Sequence, residues 1–263
     1  MAPRSIWNGT ISFGLVAVPI KLYSATESKS VHFHEVHRRD TARIEHRRSC
    51  SKEDKEVPND QIVKGYEVTE GEYVVLTKEE VAGADPSRGK VVELEHFVCA
   101  GEIDPVYYDK TYYVGARDDD AEAAYRVLHE ALAKSDRVGI GRFVFHNKEQ
   151  LVALRARDDL MALHTMRFHD EVVSGDDVEI PSPQKKPAKR EVDMAGSLVS
   201  SLETKFKPER HEDTYRDAVQ KLIDRKAKGQ DVELPDRHDT ELAPDLLMAA
   251  LEASVGGGKK GKR

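Results

Sequence analysis

Two runs of basic residues carry the chemistry legible in this chain. Between Arg137 and Arg157 five basic residues (Arg137, Arg142, Lys148, Arg155, Arg157) meet a single acid, Glu149. Between Val36 and Arg48 five arginines (Arg38, Arg39, Arg43, Arg47, Arg48) meet Asp40 and Glu45. In a strand, side-chain alternation puts Arg155 and Arg157 on one face and Arg142 on the face of Val138 and Ile140, so two neighbouring strands can present guanidiniums in a row. Such a row suits phosphates, because guanidinium is a planar fork of donors that stays charged at any relevant pH. The bland alternative is a solvated face with local glutamate partners, and spacing alone leaves the two readings level. The Arg38–Arg48 cluster, with His37 and His46 interleaved, lies between strands as a loop or ribbon able to reach a phosphate backbone, although charge runs are commonly no more than solvated surface.

Other chemistry is thin. His32, His34, His37 and His46 with Cys50 supply zinc-ligand types, but their spacing fits no compact site and no Cys-x-x-Cys pair occurs, so neither metal nor cofactor is expected. GGGKK from Gly256 lacks the spacing and hydroxyl of a phosphate loop, and neither H-E-x-x-H nor G-x-S-x-G is present. No residues are assigned to catalysis, and a non-enzyme is expected. Cys99 reads as a small hydrophobe in a strand, and Trp7 as core. Two other classes stay open: a metal-dependent β-barrel nuclease or hydrolase using an unrecognised carboxylate or histidine site, and a scaffold that binds only protein.

The net charge of −7 argues against a nucleic-acid partner until its distribution is read. Between Glu67 and Asp136 there are 17 acidic residues against 7 basic, which marks an outward, solvated surface and leaves the two basic runs as the candidate faces. Two cysteines are too few for a secreted disulfide framework, and there is no apolar leader or spanning segment. A soluble cytoplasmic protein with no membrane partner is expected.

The elements that must position these residues are mostly strands. Ser5 to Glu27 reads as two strands around a tight turn, with Asn8-Gly9 as turn or bulge and Pro19 marking an edge or bulge. From Val31 to Val75 the pattern is period-two, in VHFHEVH, ARIEHRR and GEYVVLT, with a bend possible around Gly65. A helical turn is predicted at Lys78 to Ala84, then strands KVVELEHFVC and YYDKTYYVG. A helix capped by Asp118-Asp119-Asp120 carries Ala121, Tyr125, Leu128 and Leu132. RVGIGRFVF, a turn at His146-Asn147-Lys148, QLVALRAR and DLMALHTMRF predict an antiparallel meander. The class is α+β, mainly β. IPSPQKKPAKR, Ile180 to Arg190, reads as an extended linker. Beyond it one amphipathic helix is marked by Val192, Ala195, Leu198, Val199 and Leu202, and another, ending near Gly229, by Tyr215, Ala218, Val219, Leu222 and Ile223. The second helix can dock on a partner or pack back on its own barrel. An acidic stretch from Asp231 to Val255, with a short helix at Pro244 to Leu251, precedes a flexible basic tail.

The run SIWNGTISFGLVAVPIKLYSATE resembles the opening strands of bacterial Ku proteins. The likeness continues through QIVKGYEV, GEYVVLTKEE, EIDPVYYDKTYYV, RVGIGRFVFHNKEQLVALR and MALHTMRFHDEV, and FKPERHEDTYRDAVQKLI resembles the segment beyond the family's core. It implies a β-barrel core with a DNA-encircling bridge over 1–180, a linker at 181–190, a helical segment at 191–235 for dimer or ligase contact, and a tail at 236–263. Two copies would form a ring-shaped homodimer around double-stranded DNA, acidic outside and basic inside, which removes the objection from net charge. Contact through phosphates would be indifferent to sequence, and a closed ring loads only at DNA ends. Carried over to this sequence, the resemblance makes Arg38, Arg39, Arg43, Arg47, Arg48 and Lys64 the bridge contacts, and Arg142, Lys148, Arg155 and Arg157 the barrel cradle. It places recruitment of an ATP-dependent end-joining DNA ligase on Tyr215, Val219, Leu222 and Ile223, in a cytoplasmic, nucleoid-associated protein. Two departures stand out. Some relatives carry a Cys-x-x-Cys-like pair where this chain has Cys50 followed by SKEDKEV, so no zinc knuckle is expected. The basic tail is short, with Lys259, Lys260, Lys262 and Arg263.

Overall fold

The computed structural model describes residues 3–83, 90–145, 148–179 and 186–230. In chain order these form β1 (Trp7–Phe13), β2 (Val16–Ser24), β3 (Lys64–Thr69), β4 (Glu72–Leu76), α1 (Lys78–Gly83), β5 (Val91–Cys99), β6 (Tyr108–Ala116), α2 (Asp119–Ser135), β7 (Arg137–Phe145), β8 (Lys148–Arg157), β9 (Leu160–Met166), α3 (Lys189–Leu202) and α4 (Thr214–Ala227). Seven strands close a barrel in the order β1-β2-β6-β9-β8-β7-β5, while β3 and β4 form a separate two-stranded ribbon. Parallel pairing of β1 with β5, Thr10↔Val91 to Ser12↔Glu93, shuts the barrel. The predicted meander is present as β7, β8 and β9, each antiparallel to the next.

Alternation decides what fills the barrel. Ile11, Val18, Ile20, Leu22, Val92, Phe143, Val152, Leu154, Met161 and Leu163 are buried in one cluster. Each such side chain taken fully from water stabilises the fold by about 1.5–3 kcal/mol. Trp7 packs against this cluster, its ring edge-on to Phe143 at 5.5 Å, as expected of a core residue. Helix α2 starts where Asp118 accepts a hydrogen bond from the Ala121 amide, and buries Tyr125, Leu128 and Leu132 in the same core. The Tyr125 hydroxyl donates to the Val114 carbonyl at 2.6 Å and accepts from the Met161 amide at 3.0 Å. It thereby ties the helix to β6 and β9. A second cluster lies on the outer face, where Val138, Ile140, Ala153 and Met166 are buried with Tyr108 and Leu151 packed beside them.

The structure revises several local expectations. Asn8-Gly9 lies inside β1; the turn is Gly14-Leu15, with Phe13 opposite Val16 and Gly14 at φ +56°, the positive φ that favours glycine in a two-residue hairpin loop. Gly9 instead leaves room for the Trp7 ring and the Lys90 carbonyl. Pro19 is on no edge strand, since β2 runs between β1 and β6. It sits just beyond the Ile20↔Ala116 pair: its carbonyl accepts from the Arg117 amide, and its missing N–H, on the same side, leaves that bond unreciprocated where the β2–β6 ladder ends. VHFHEVH and ARIEHRR are not strands: between Val31 and Val63 the strand-type pairing is limited to the isolated bridges Val36↔Arg43 and Ser49↔Glu56. Period two is necessary for a ladder, but these residues have no neighbouring strand to pair with and almost all are exposed. The irregularity in β3 falls between Glu67 and Thr69 rather than at Gly65. Cys99 is half-buried at the end of β5, with the Arg137 guanidinium against its sulfur.

The chain divides into two compact units, Met1–Lys29 with His34–Asp177, and Ser30–Phe33 with Val178–Arg263. In the second, α3 begins at Lys189, so Lys189 and Arg190 belong to a helix rather than to an extended linker. Helix α4 is capped by Asp213, which accepts from the Arg216 amide at 2.9 Å, and Gly229 follows it at φ +71°. Ala84, the turn residues His146 and Asn147, residues 180–185 of the proline-lysine segment, the acidic stretch with its helix at Pro244–Leu251, and the basic tail lie outside the described residues.

Candidate nucleic-acid interface

The outer face of β7, β8 and β9 carries the first basic group. Arg142 shares it with Val138 and Ile140 by alternation, and Arg155 and Arg157 share it with Ala153, which pairs with Ile140 on one side and His164 on the other. The predicted row is therefore Arg142, Arg155 and Arg157. Lys148 is not in it, because it alternates with Val152 and Leu154, which point into the barrel. The carboxylate partners of these cations and of Lys148 differ from residue to residue. Arg142 is held by two carboxylates, Glu95 at 3.0 Å and Glu149 at 3.5 Å, with its guanidinium carbon 6.0 Å from the Phe168 ring centre. Lys148 is paired with Glu171 at 2.8 Å, a hydrogen bond that raises the lysine's pKa and lowers the carboxyl's. Arg157 lies 3.7 Å from the exposed Asp158 and 5.9 Å over the Tyr113 ring. Arg155 has no carboxylate within ion-pair range among the described residues; its Nε donates to His164 Nε2 at 3.1 Å.

His164 is only 8% exposed. Burial first, then the charges of Arg155 and Arg157, lower its pKa to about 4. Because Arg155 Nε can only donate, His164 Nε2 must accept, which leaves the proton on Nδ1 to donate to Thr111 Oγ1 at 2.9 Å. A pH prediction follows from the sign of this shift. The folded state disfavours the imidazolium, so the contribution of His164 is fully present above the ordinary value of 6.5 and is lost as pH falls towards about 4. The loss is up to about 1.4 kcal/mol per pH unit in that window. Urea unfolding at pH 7 and pH 5 should show wild type losing an increment of stability that His164→Gln does not lose; parallel losses in both would remove His164 as the cause.

The second basic group is shaped by two short turns. In the first, the Val36↔Arg43 bridge and the Asp40 carboxylate, which accepts from the Ala42 amide at 3.0 Å and meets His37 Nδ1 at 2.9 Å, fold 37–42 so that Arg38 and Arg39 lie at the tip. The amide of Ala42, and then His37, hold the Asp40 carboxyl below its usual pKa. Arg38, Arg39 and Arg43 are exposed and make no ion pair among the described residues. The second turn, closed by Ser49↔Glu56, differs: Arg47 pairs with Glu56 at 3.2 Å and Arg48 donates to Asn59 Oδ1 at 3.1 Å. Lys64 opens the ribbon, every residue of which is exposed. Among the described residues no three His, Cys, Asp or Glu side chains are gathered to hold a metal ion. On α4, Val219, Leu222 and Ile223 form a half-buried stripe continued by Tyr215, which is 78% exposed.

Residues 12–194 match the family model of the Ku70/Ku80 beta-barrel domain. The non-homologous end joining protein Ku of Anaeromyxobacter sp. (strain K) is 43% identical over 258 residues, covering 98% of this chain and 86% of that protein. That of Bacillus subtilis (strain 168) is 36% identical over 254 residues, 96% and 81% of the two chains. This chain belongs to the Ku family. The closed β-barrel with appended helices is the α+β Ku core expected from the sequence. Among its described residues no helix is long and apolar enough to cross a membrane. Two features of this Ku chain escaped sequence reasoning. One is the His164–Arg155 contact, which lies diagonally across β8 and β9 and needs the register to be known. The other is the exposure of the ribbon's apolar side chains, with Tyr66 and Val74 on one side and Tyr73 and Val75 on the other; period two marked the strand GEYVVLT but not that both its faces are uncovered.

Proposed function

We propose that this chain binds the ends of double-stranded DNA in non-homologous end joining, without catalysis of its own, as a ring-shaped homodimer that recruits an ATP-dependent DNA ligase. The observation that carries the reading is that all ten basic candidates fall inside the span matched to the Ku barrel domain, residues 12–194. The relatives are named for end joining, and a protein that accepts any break must read phosphates rather than bases. Arg38, Arg39, Arg43, Arg47, Arg48 and Lys64 are assigned to the bridging part of the ring and Arg142, Lys148, Arg155 and Arg157 to its cradle, with unpaired guanidiniums dominating over paired ones. The ribbon supports the dimer: a two-stranded hairpin exposing apolar side chains on both faces is at best marginally stable alone, and a second copy of itself is a self-complementary cover. The α4 stripe is assigned to the ligase, and the protein works on the nucleoid in the cytoplasm.

The test is competition between a linear duplex and the same sequence as a relaxed, covalently closed circle, without nucleotide or metal. Strong preference for the linear form, lost when both ends carry bulky caps, supports threading; equal binding overturns it. A chain lacking residues 206–234 is expected to keep end binding and lose stimulation of ligation, and surviving stimulation would place the ligase contact elsewhere.

A further inference from the structure

We infer that His164 is a positioning residue that aims the Arg155 guanidinium at a DNA phosphate while leaving its charge unspent. The inference rests on the end-binding reading above and deepens it. An arginine on a strand surface has two ways to be held in place. A carboxylate fixes the side chain but neutralises it, as Glu95 and Glu149 do to Arg142, so a phosphate arriving there must displace a competing anion. A neutral acceptor fixes it at no expense in charge. His164 is such an acceptor, because its Nε2 takes the Nε proton of Arg155 at 3.1 Å and its remaining proton is committed to Thr111 Oγ1 at 2.9 Å.

The geometry leaves the useful part of the guanidinium open. Among the described residues only Nε is engaged, so the two terminal amino groups form an end-on fork, the pairing that matches two oxygens of one phosphate. Arg155 sits opposite Ala162, whose methyl cannot cover it, and reaches His164 on the diagonal of the β8–β9 ladder. His164 itself cannot swing away. It is buried, its ring stands at 66° and 5.2 Å to Tyr108, and Thr111 on β6 holds its far edge. A side chain restrained beforehand loses less rotamer freedom when it meets its ligand, which turns a floppy cation into a preorganised one. Arg157, the other charge facing His164, is braced over the Tyr113 ring but also has the exposed Asp158 carboxylate 3.7 Å away, so of the two it is Arg155 whose charge is left unspent.

The experiment measures binding of a blunt linear duplex by the full chain, as affinity near physiological salt and as the slope of log affinity against log salt. Arg155→Ala is expected to weaken binding roughly tenfold and to lower the slope by about 0.9 per lost contact. His164→Leu, which keeps Arg155 charged but removes its acceptor, is expected to lose roughly three- to tenfold, and His164→Gln, whose amide oxygen can reach the Nε2 position, to recover most of that. In an Arg155→Ala background His164→Leu should do nothing further. If His164→Leu fails to fold, Thr111→Val serves, with a loss of roughly two- to threefold seen only when Arg155 is present. Wild-type affinity in a folded His164→Leu, or an equal loss with and without Arg155, overturns the inference. Arg155→Ala with unchanged affinity and slope overturns it while leaving end binding intact, whereas no preference of the wild type for linear DNA is failure of the parent reading instead.

Discussion

Replacing Tyr66 by Glu and Val74 by Lys together is expected to convert the protein to a monomer at micromolar concentration and to reduce DNA-end affinity about a hundredfold or more. The two residues pair directly across the ribbon, 69% and 50% exposed in the single chain. Opposite charges at a cross-strand pair preserve the ribbon itself, so the variant removes apolar surface without unpairing β3 from β4. Each apolar side chain covered in a dimer contributes about 1.5–3 kcal/mol, and four are lost per dimer, which gives an upper bound of about 6–12 kcal/mol. Side-chain ordering and desolvation of neighbouring polar groups reduce that bound, and about 3 kcal/mol already amounts to a hundredfold. The barrel core shares no residue with the ribbon, so thermal stability should change little. Sedimentation equilibrium decides the matter: a dimer as tight as wild type would place the interface elsewhere.

The second large effect is expected from Arg38→Ala, Arg39→Ala and Arg43→Ala combined. These guanidiniums are exposed and lack ion-pair partners among the described residues, so nothing offsets their charge before a phosphate does. Three lost contacts lower the slope of log affinity against log salt by about 2.7, which corresponds to about a hundredfold at 0.15 M salt relative to the molar range where the term vanishes. The loss should be the same on every duplex sequence, since phosphate contacts carry no base information. Arg142→Ala and Lys148→Ala provide the contrast. Their carboxylate partners already neutralise them, and each should change affinity by about twofold, through an exposed pair of small net worth. Titration in a series of salt concentrations separates the outcomes, and an unchanged slope in the triple variant would take the Val36–Arg43 turn out of the DNA path.

How far the sequence reaches is clearest in particular elements. A barrel strand such as Val16–Ser24 was legible because one face is buried, and burial writes itself into the chain as period two, here at Val18, Ile20 and Leu22. Helix α2 was legible because Asp118 marks its start and Ala121, Tyr125, Leu128 and Leu132 repeat at the helical period. The arginines of β8 could be assigned to a common face by the same parity. VHFHEVH and ARIEHRR show the limit: they have the period of strands, but a ladder needs a neighbour, and whether a neighbour exists is a property of the folded chain.

The site repeats this division. Residue types and spacing by themselves determined that two basic groups exist, that one lies on strands, and that their chemistry suits phosphate. Only the tertiary structure decided which cations are already neutralised. Arg142 and Lys148 meet Glu95 and Glu171, partners 47 and 23 positions away, while Arg155 meets an imidazole across a diagonal. The physical reason is range: alternation and capping act within a few residues, whereas the charge an arginine presents to DNA is set by whichever side chains the barrel's register brings within about 4 Å of it.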